Sequence, residues 1–498
     1  MKTNKIRYSI SWVLTNKCNL TCKFCFKKLC EDKNLEQNKK IFDNLSQINI
    51  EKLTLSGGEP LLYDGFYELV EYIKTKTPKL KLNLITNATF INKENVDFLC
   101  KNFDKITISI DSTKKETLTA MGRGSSQIDN AKKALELLSN KIKIKITSLV
   151  TKQNYLDFKE IYTFLLGYNI DEWKILNFYP LRKGEHYKSL FMMNKKEKQE
   201  FYNILSDLKH QTVFPIKSDS IDDIAVTNLN VYPNGSVENC MDEDIGNLSV
   251  QSIFDILKEK RRYDLMYDLA LTVEKARPVP RRDVDQIWMY NRAMVVQATK
   301  CFGHLQNKHC VFLGDGDGAS SYYALLQHNN LVHPIASITV LDFDDNILNY
   351  HKNIITDHKI NIDCKYINYN VRDIVPQNLK HKFDFFYINP PYSSHNNGAS
   401  IKAWLHRCID LIKDNAQGCI IIPTDKDYDW SIENSKEIEK FLSDYGFSIK
   451  EIFFNLHDYD LDCTSFIKSS TYIVERIETV PSEFENKKIT KEILADLY

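Results

Sequence analysis

Three closely spaced cysteines have the residue type and the spacing to bind iron. Cys18, Cys22 and Cys25 form a C-x3-C-x2-C run directly after the apolar stretch Ile10–Leu14. Three thiolates on one tight loop can hold three irons of a [4Fe–4S] cluster and leave the fourth iron open. A zinc site is the alternative, but it needs a fourth Cys or His at short spacing, and Cys30 lies among charged residues. The spacing therefore favours an iron–sulfur cluster with an open iron.

Polar residues follow several short predicted strands. The strand Lys52–Ser56 leads into Gly57, Gly58 and Glu59, and a later strand ends at Asn87. Glycine lets the backbone approach a ligand closely, and a Glu carboxylate accepts hydrogen bonds from an ammonium group. Such apolar strands alternate with segments of helical periodicity. This alternation predicts a partial TIM-like barrel, which keeps its active site at the carboxyl ends of its strands.

The cysteine run and the Gly-Gly-Glu-Pro segment together resemble the radical S-adenosylmethionine (SAM) superfamily. The resemblance implies a partial (β/α)6 TIM-like barrel over residues 1–248, with a [4Fe–4S] cluster on the three cysteines and SAM on the open iron. Reductive cleavage of SAM would then give a 5′-deoxyadenosyl radical that takes a hydrogen atom from the substrate. The SAM-binding residues that the resemblance implies are Gly57, Gly58, Glu59, Asn87, Ser109 and Arg123.

Within this superfamily the sequence is similar to viperin and its prokaryotic relatives, which remove the elements of water from a nucleoside triphosphate. The segments that carry the similarity are Ser109–Ser112, Met121–Gly124, Lys145 and Trp173-Lys174. The basic residues that would bind the phosphates are Lys52, Arg123, Lys145 and Lys174. Cations at strand ends can make charge-assisted hydrogen bonds with a polyphosphate. The alternative for any one of these lysines is a solvated surface charge.

At 498 residues the chain is too long for a single core, so a second domain is expected. Its predicted parts are a helical connector at 249–276, a domain at 277–482 and a peripheral tail at 483–498. A strand ending at Leu313 leads into the loop Gly314–Asp317, and a second strand, Ile338–Leu341, ends at Asp342. A strand, a small-residue loop and a second strand that ends in an acid predict the adenosine-binding half of a doubly wound fold.

This second region, with Asn389-Pro390-Pro391-Tyr392 after another strand, resembles class I SAM-dependent transferases of Rossmann-like fold. The finer resemblance is to branched-chain polyamine synthases, which move aminopropyl groups from decarboxylated SAM onto a polyamine nitrogen. The residues that would bind the donor are Gly314, Asp315, Asp342 and Asp344. Pro390 and Pro391 would contact the acceptor, and Asp317, Asn389 and Tyr392 would be catalytic. The same motif grips exocyclic amines in amino-methyltransferases, so methyl transfer from SAM remains an alternative.

Composition limits the partners. Lys and Arg total 66, as do Asp and Glu, so no basic excess indicates a nucleic-acid surface. No apolar run approaches the ~20 residues of a membrane-spanning helix. The 12 cysteines and an oxygen-sensitive cluster predict a reducing cytoplasm. We also expect a small-molecule substrate, a nucleotide or an amine, and an external electron donor such as flavodoxin or ferredoxin.

Three functional hypotheses follow. The favoured one is a bifunctional enzyme in which a radical step on a small, nucleotide-like molecule is coupled to alkyl transfer onto an amine. The second is a nucleic-acid modifier whose two halves act on a base, which would show a salt-dependent affinity for RNA or DNA. The third is a radical SAM enzyme whose second domain only binds a ligand or a partner.

Overall fold

The computed structural model describes residues 7–218, 228–239, 243–281, 288–391, 398–426, 428–457 and 468–490. The chain divides into two compact units, residues 1–261 and 262–498. None of the helices in the described ranges combines the length and the apolar character needed to cross a bilayer.

The first unit is built on one mixed sheet. Its strands are β1 (Tyr8–Val13), β2 (Ile50–Ser56), β3 (Lys81–Thr86), β4 (Lys105–Ser109), β5 (Lys143–Val150), β6 (Glu172–Asn177), β7 (Ile216–Ser218), β8 (Asn228–Val231), β9 (Ser236–Glu238) and β10 (Asp244–Asn247). The sheet order is β10-β9-β8-β1-β2-β3-β4-β5-β6-β7. Neighbours from β8 through β1 to β7 run parallel, whereas β9 pairs antiparallel with both β8 and β10.

Helices connect the parallel strands of this sheet. They are α1 (Leu35–Leu45), α2 (Phe66–Lys76), α3 (Val96–Asn102), α4 (Lys115–Met121), α5 (Gln127–Leu138), α6 (Phe158–Leu165), α7 (Lys188–Phe191) and α8 (Lys195–Gln211). Asn34 and Asn194 cap α1 and α8 with their side chains, and each makes a reciprocal capping box. Such caps satisfy the backbone N–H groups that the first turn of a helix leaves unpaired.

The two faces of the first sheet differ in polarity. In β5 the side chains of Ile144 and Ile146 are buried, while Lys145 and Thr147 are partly exposed on the opposite face. The buried face carries the helices: the Trp173 ring of β6 stacks on Phe158 of α6 at 5.6 Å. Because side chains alternate along a strand, every second residue from β1 to β6 reaches the other face. We call it the polar face.

The division between the two units falls within α9 (Ile253–Ala276), between residues 261 and 262. This helix covers most of the segment that was expected to be a helical connector at 249–276. The predicted domain boundaries at residues 248, 276 and 482 remain predictions.

The second unit is a doubly wound sheet. Its strands are β11 (His309–Leu313), β12 (Ser337–Asp342), β13 (Cys364–Asn368), β14 (Phe383–Ile388), β15 (Ile412–Pro423), β16 (Phe447–His457) and β17 (Ser469–Arg476). Its helices after α9 are α10 (Asn291–Leu305), α11 (Ala319–His328), α12 (Asp345–Asp357), α13 (Ala399–Leu411) and α14 (Asp429–Asp444). The sheet order is β13-β12-β11-β14-β15-β17-β16, and all pairs are parallel except those of β17.

The centre of the second sheet is covered on both faces. The strands β11, β12 and β14 are almost continuously buried along their lengths. Near-continuous apolar runs are typical of parallel strands that helices cover on both sides. Since β12, β11 and β14 are neighbours, the loops at their carboxyl ends converge where such folds bind ligands. The predicted α/β class, a partial barrel followed by a Rossmann-like domain, is confirmed.

Candidate functional site

The cysteine run lies in the loop that follows β1. Cys18, Cys22 and Cys25 are partly exposed free thiols. Burial raises the pKa of the Cys22 thiol, and the Arg123 guanidinium acts in the opposite direction. In the described part of the chain, no three His, Cys, Asp or Glu side chains already surround a point where a metal ion could sit. The donor set, three soft sulfurs beside a cation, fits an iron–sulfur cluster.

The Gly-Gly-Glu-Pro segment lies against the backbone that leads into the cysteine run. The Gly58 N–H donates to the Thr15 carbonyl at 2.7 Å, and the Glu59 N–H donates to the Lys17 carbonyl at 2.8 Å. A Cβ added to Gly58 would lie 2.4 Å from the Lys17 oxygen and 2.8 Å from the Asn16 oxygen. Glycine is therefore required at this position by a contact between two backbones.

Glu59 and Asn87 connect the ends of two strands to the same loop. The Glu59 carboxylate is fully buried and accepts from the Thr86 hydroxyl and the Asn87 N–H, both at 2.8 Å. Burial raises the pKa of Glu59 despite these bonds. The Asn87 side-chain amide donates to the Asn19 side chain within the cysteine loop at 2.9 Å. Both predicted SAM-binding residues thus have partners that fix the loop.

Arg123 lies beside the cysteine loop on the other side. Its Nε donates to an Asp111 carboxylate oxygen at 2.5 Å, and its guanidinium lies 5.1 Å from the centre of the Phe24 ring. The other Asp111 oxygen accepts from the Leu149 N–H at 2.8 Å. Asp111, which was not among the predicted site residues, therefore anchors Arg123. The signal for it was its position directly after a buried strand.

Ser109 ends β4 next to the strand that carries Lys145. Its hydroxyl lies 3.5 Å from the Thr147 hydroxyl, and its carbonyl accepts from the Gln127 amide at 2.5 Å. The side chain is partly exposed on the polar face. Ser109 is therefore available to a ligand that enters from this face.

The four predicted phosphate ligands lie at two different positions along the strands of the first sheet. Arg123 is at the carboxyl ends of the strands, whereas Lys52, Lys145 and Lys174 point from the polar face nearer to the amino ends. The Lys145 ammonium group is held by Glu172 at 2.6 Å. No contact in the described residues joins Arg123 to any of the three lysines.

Glu172 lies beside Lys145 and was not among the predicted site residues. It contacts the ammonium groups of Lys145 and Lys217 at 2.6 and 2.7 Å. Burial opposes its ionisation, but the hydrogen bonds from the two lysines lower its pKa to about 2. Burial also lowers the pKa of Lys145, with further contributions from the positive charges of Lys174 and Lys105. This part of the polar face therefore carries several cations around one ionised carboxylate, Glu172.

In the second unit, Asp317 and Asn389 meet at the carboxyl ends of β11 and β14. Asn389 donates its side-chain N–H to one Asp317 oxygen, and the Met289 N–H donates to the other at 2.7 Å. The Met289 carbonyl accepts from Arg277 at 3.1 Å. Burial raises the pKa of Asp317, and the positive charge of Arg277 opposes the shift.

Asp315 lies deeper than Asp317. Its carboxylate is fully buried and accepts from the N–H groups of Ala319 and Ser320 at the start of α11, both at 2.8 Å. Burial raises the pKa of Asp315 to about 7. The contacts show a helix-capping carboxylate, and a direct role in cofactor binding remains a prediction.

Asp342 and Asp344 follow β12. Burial, with the charge of Asp344, raises the pKa of Asp342 to about 6, and one Asp342 oxygen accepts from the Asp344 N–H at 2.9 Å. Asp344 caps α12 through the Asn346 N–H, and Arg281 lies 3.5 Å away. Both acids are thus buried, with backbone partners, at a position where doubly wound folds bind ribose hydroxyls.

Gly314 and the proline pair complete this site. Gly314 has a φ of 71°, and a Cβ added there would lie 3.1 Å from the Trp404 indole nitrogen. Pro390 is buried and Pro391 is partly exposed. Tyr392, predicted as catalytic, lies outside the described residues. The structure therefore brings together the loop after β11, the acids after β12 and the start of the Asn-Pro-Pro segment.

Two families match this chain. Residues 12–165 match the Radical SAM superfamily, and residues 266–490 match the Branched-chain polyamine synthase A C-terminal domain. The chain therefore carries a radical SAM domain followed by a domain of the branched-chain polyamine synthase type, and both sequence-based recognitions are confirmed. The radical SAM domain implies SAM and a [4Fe–4S] cluster as cofactors.

Relatives of the first domain include nucleotide dehydratases. The S-adenosylmethionine-dependent nucleotide dehydratase of Flammeovirga pacifica is 29% identical over an alignment of 219 residues, and the match covers 40% of this chain and 73% of that protein. The protein of the same name from Selenomonas ruminantium is 30% identical over an alignment of 184 residues, and the match covers 34% of this chain and 65% of that protein. The predicted similarity to viperin-like proteins is confirmed.

A solved structure similar to this chain is the branched-chain polyamine synthase from Thermus thermophilus in complex with N4-aminopropylspermidine and 5′-methylthioadenosine. The two chains are 18% identical, the match covers 46% of this chain and 67% of that one, and the TM-score is 0.39.

The close approach at Gly58 gives a testable prediction. Gly58→Ala should destabilise the first unit by about 1–3 kcal/mol, because the new methyl group meets two backbone oxygens that cannot move independently. Gly167→Ala is the matched control, since the added Cβ would lie an ordinary 3.4 Å from its nearest neighbour, the Phe164 carbonyl oxygen. The measurements are thermal unfolding and the iron content after anaerobic reconstitution. Equal stability and equal iron content in both variants would contradict the backbone contact.

Proposed function

We propose that this protein is a bifunctional enzyme. Its first domain would use a 5′-deoxyadenosyl radical to modify a nucleoside triphosphate, and its second domain would transfer an aminopropyl or other alkyl group onto an amine of the product. The observation that carries the first half is the arrangement of cations: Arg123 beside the cysteine loop, and Lys52, Lys145 and Lys174 farther along the same sheet. The relatives named nucleotide dehydratases support this substrate class.

In the first domain, residues at the carboxyl ends of the strands and residues nearer to the amino ends would have different roles. When bound, the cluster supplies the electron that cleaves SAM to methionine and the 5′-deoxyadenosyl radical. Gly58 and Glu59 fix the loop that presents the three thiolates. Arg123, held by Asp111, places a positive charge beside this loop. Lys145 and Lys174 would bind phosphates, so the ribose of an elongated nucleotide would lie toward the carboxyl ends of the strands.

The radical half is tested by anaerobic incubation of the reconstituted full-length protein with SAM, dithionite and single nucleoside triphosphates. We expect 5′-deoxyadenosine to form with one nucleotide, whose mass changes, and neither product to form with Cys22→Ala. Lys145→Gln should raise the KM for that nucleotide about tenfold, because a charge-assisted hydrogen bond to phosphate is lost. Lys133→Gln, an exposed lysine of α5, is the matched control. The nucleotide assignment fails if no triphosphate stimulates 5′-deoxyadenosine formation in the wild type.

For the second domain, the supporting observation is the contact between Asn389 and Asp317. In the proposed transfer the amine nitrogen attacks the donor carbon next to the sulfonium, the carbon–sulfur bond breaks, and 5′-methylthioadenosine leaves if the donor is decarboxylated SAM. The nitrogen then releases a proton. Asp317 is a candidate acceptor, since burial raises its pKa, and the Asn389 carbonyl would accept a hydrogen bond from the amine. Placement of the two reactants supplies most of the rate in such a transfer.

Gly316 and Trp288 bear on the identity of the acceptor. A Cβ at Gly316 would lie 2.6 Å from the Trp288 ring, so the indole packs directly on this glycine. The Trp288 ring therefore occupies the space that any side chain at position 316 would need. Aromatic rings stack on nucleobases. This favours an acceptor amine on a base or another planar group, such as the nucleotide product of the first domain.

The transfer half makes its own prediction. With decarboxylated SAM and the nucleotide product as substrates, Asn389→Ala should lower kcat by at least tenfold, because the amine loses an acceptor and Asp317 loses a donor. The affinity for 5′-methylthioadenosine should stay within about twofold, since that ligand lacks the acceptor amine. Asn329→Ala at the end of α11 is the control. Unchanged kcat in Asn389→Ala would remove this residue from the reaction.

Donor binding should depend on pH through Asp342. With a pKa of about 6 the carboxylate is ionised above that pH and can accept hydrogen bonds from ribose hydroxyls. We therefore expect the Kd for 5′-methylthioadenosine to be constant above about pH 7 and to rise, approaching tenfold per pH unit, below pH 6. Calorimetric titration of the wild type and of Asp342→Asn checks this. A pH dependence that persists unchanged in Asp342→Asn would assign it to another group, such as Asp315.

A further inference from the structure

Four lysines line the amino-terminal end of the polar face. Lys81, Lys105 and Lys143 are the first residues of β3, β4 and β5, and Lys52 lies near the start of β2. Each alternates with a buried apolar neighbour, so all four side chains lie on the polar face. We call this group the lysine rim. Three of its members, Lys81, Lys105 and Lys143, have no role in the site described above.

The strand register places like charges directly opposite each other. Lys52 pairs with Lys81 across β2 and β3, and Lys105 pairs with Lys143 across β4 and β5. Neighbouring strands are only about 4.8 Å apart. Like charges directly opposite on one face of a sheet are destabilising. The rim therefore contains two adjacent pairs of mutually repelling cations.

The described residues provide little to neutralise this charge. On the polar face of β1 to β7 the acidic side chain is Glu172, which is already bonded to Lys145 and Lys217. Within the ranges that the structure describes, no carboxylate lies within 4 Å of the ammonium group of any rim lysine. The positive charge of Lys105 also acts on Lys145, since it contributes to the lowering of the Lys145 pKa. An anion bound from solution would offset the repulsion.

We propose that the lysine rim is a binding site for phosphoryl anions at the amino-terminal mouth of the polar face. A chain of linked phosphates concentrates several negative charges in a small volume, which matches cations spaced by single strands. Two sources share this chemistry: the terminal phosphates of the nucleotide held by Lys145 and Lys174, or a separate inorganic polyphosphate. The first source rests on the proposed nucleotide function, whereas the affinity of the rim for phosphoryl anions does not need the radical reaction.

The test is calorimetric titration of the full-length protein with inorganic tripolyphosphate at low and at physiological salt. We expect the double variant K81Q/K143Q to bind at least tenfold more weakly than the wild type. The matched control K93Q/K101Q removes the same charge from exposed positions and should bind as the wild type does. No binding to the wild type, or an equal loss in both double variants, would overturn the proposal. Circular dichroism and thermal unfolding confirm that each variant is folded.

A competition arm distinguishes the two sources. If saturating tripolyphosphate displaces the nucleoside triphosphate, the rim holds the terminal phosphates of the substrate. If both bind together, the rim holds a separate anion, and either result supports the site. Tripolyphosphate binding without any nucleotide turnover would keep the rim and reject the proposed function. Nucleotide turnover without tripolyphosphate binding would do the reverse.

Discussion

The backbone contact between the Gly-Gly-Glu-Pro segment and the loop after β1 is the constraint on which the first domain depends. Two hydrogen bonds join Gly58 and Glu59 to the carbonyls of Thr15 and Lys17, and the missing Cβ of Gly58 makes the approach possible. Glu59 also accepts hydrogen bonds from Thr86 and Asn87 at the end of β3. The loop with three cysteines is thereby attached to two strands before any cluster is bound. The loop thereby becomes a positioned set of ligands.

Charge on the polar face is the second organising feature. Arg123 has its own buried partner, Asp111, and so its charge is fixed beside the cysteine loop. Farther along the sheet, Lys145 and Lys217 share the carboxylate of Glu172. One cation fixed beside the cysteine loop and several cations farther along the sheet suit an elongated ligand with an anionic end. Net charge gives no hint of it, because Lys and Arg balance Asp and Glu over the whole chain.

The second domain uses burial in a different way. Asp315, Asp317 and Asp342 are all nearly inaccessible, and burial raises the pKa of each. Asp315 caps α11, while Asp317 is held between Met289 and Asn389. Similar loop acids thus have different environments within one short segment. The sequence pattern predicted their shared location but could not distinguish these environments, since Asp315 accepts from N–H groups four and five residues along the chain, whereas Asp317 accepts from the Met289 N–H, 28 residues earlier.

Features that rest on local spacing could be predicted from the sequence. The cysteine run, the glycine pair before Glu59, the alternation of strands and helices, and the small-residue loop at Gly314 were all readable because ligand spacing and side-chain period are properties of short segments. Tertiary structure alone decided the separation of Arg123 from the lysines, the pairing of Lys145 with Glu172, and the lysine rim. The last two features arise from the register between strands, and the first arises from the position of the loop after α4 at the carboxyl ends of the strands. No local pattern specifies either.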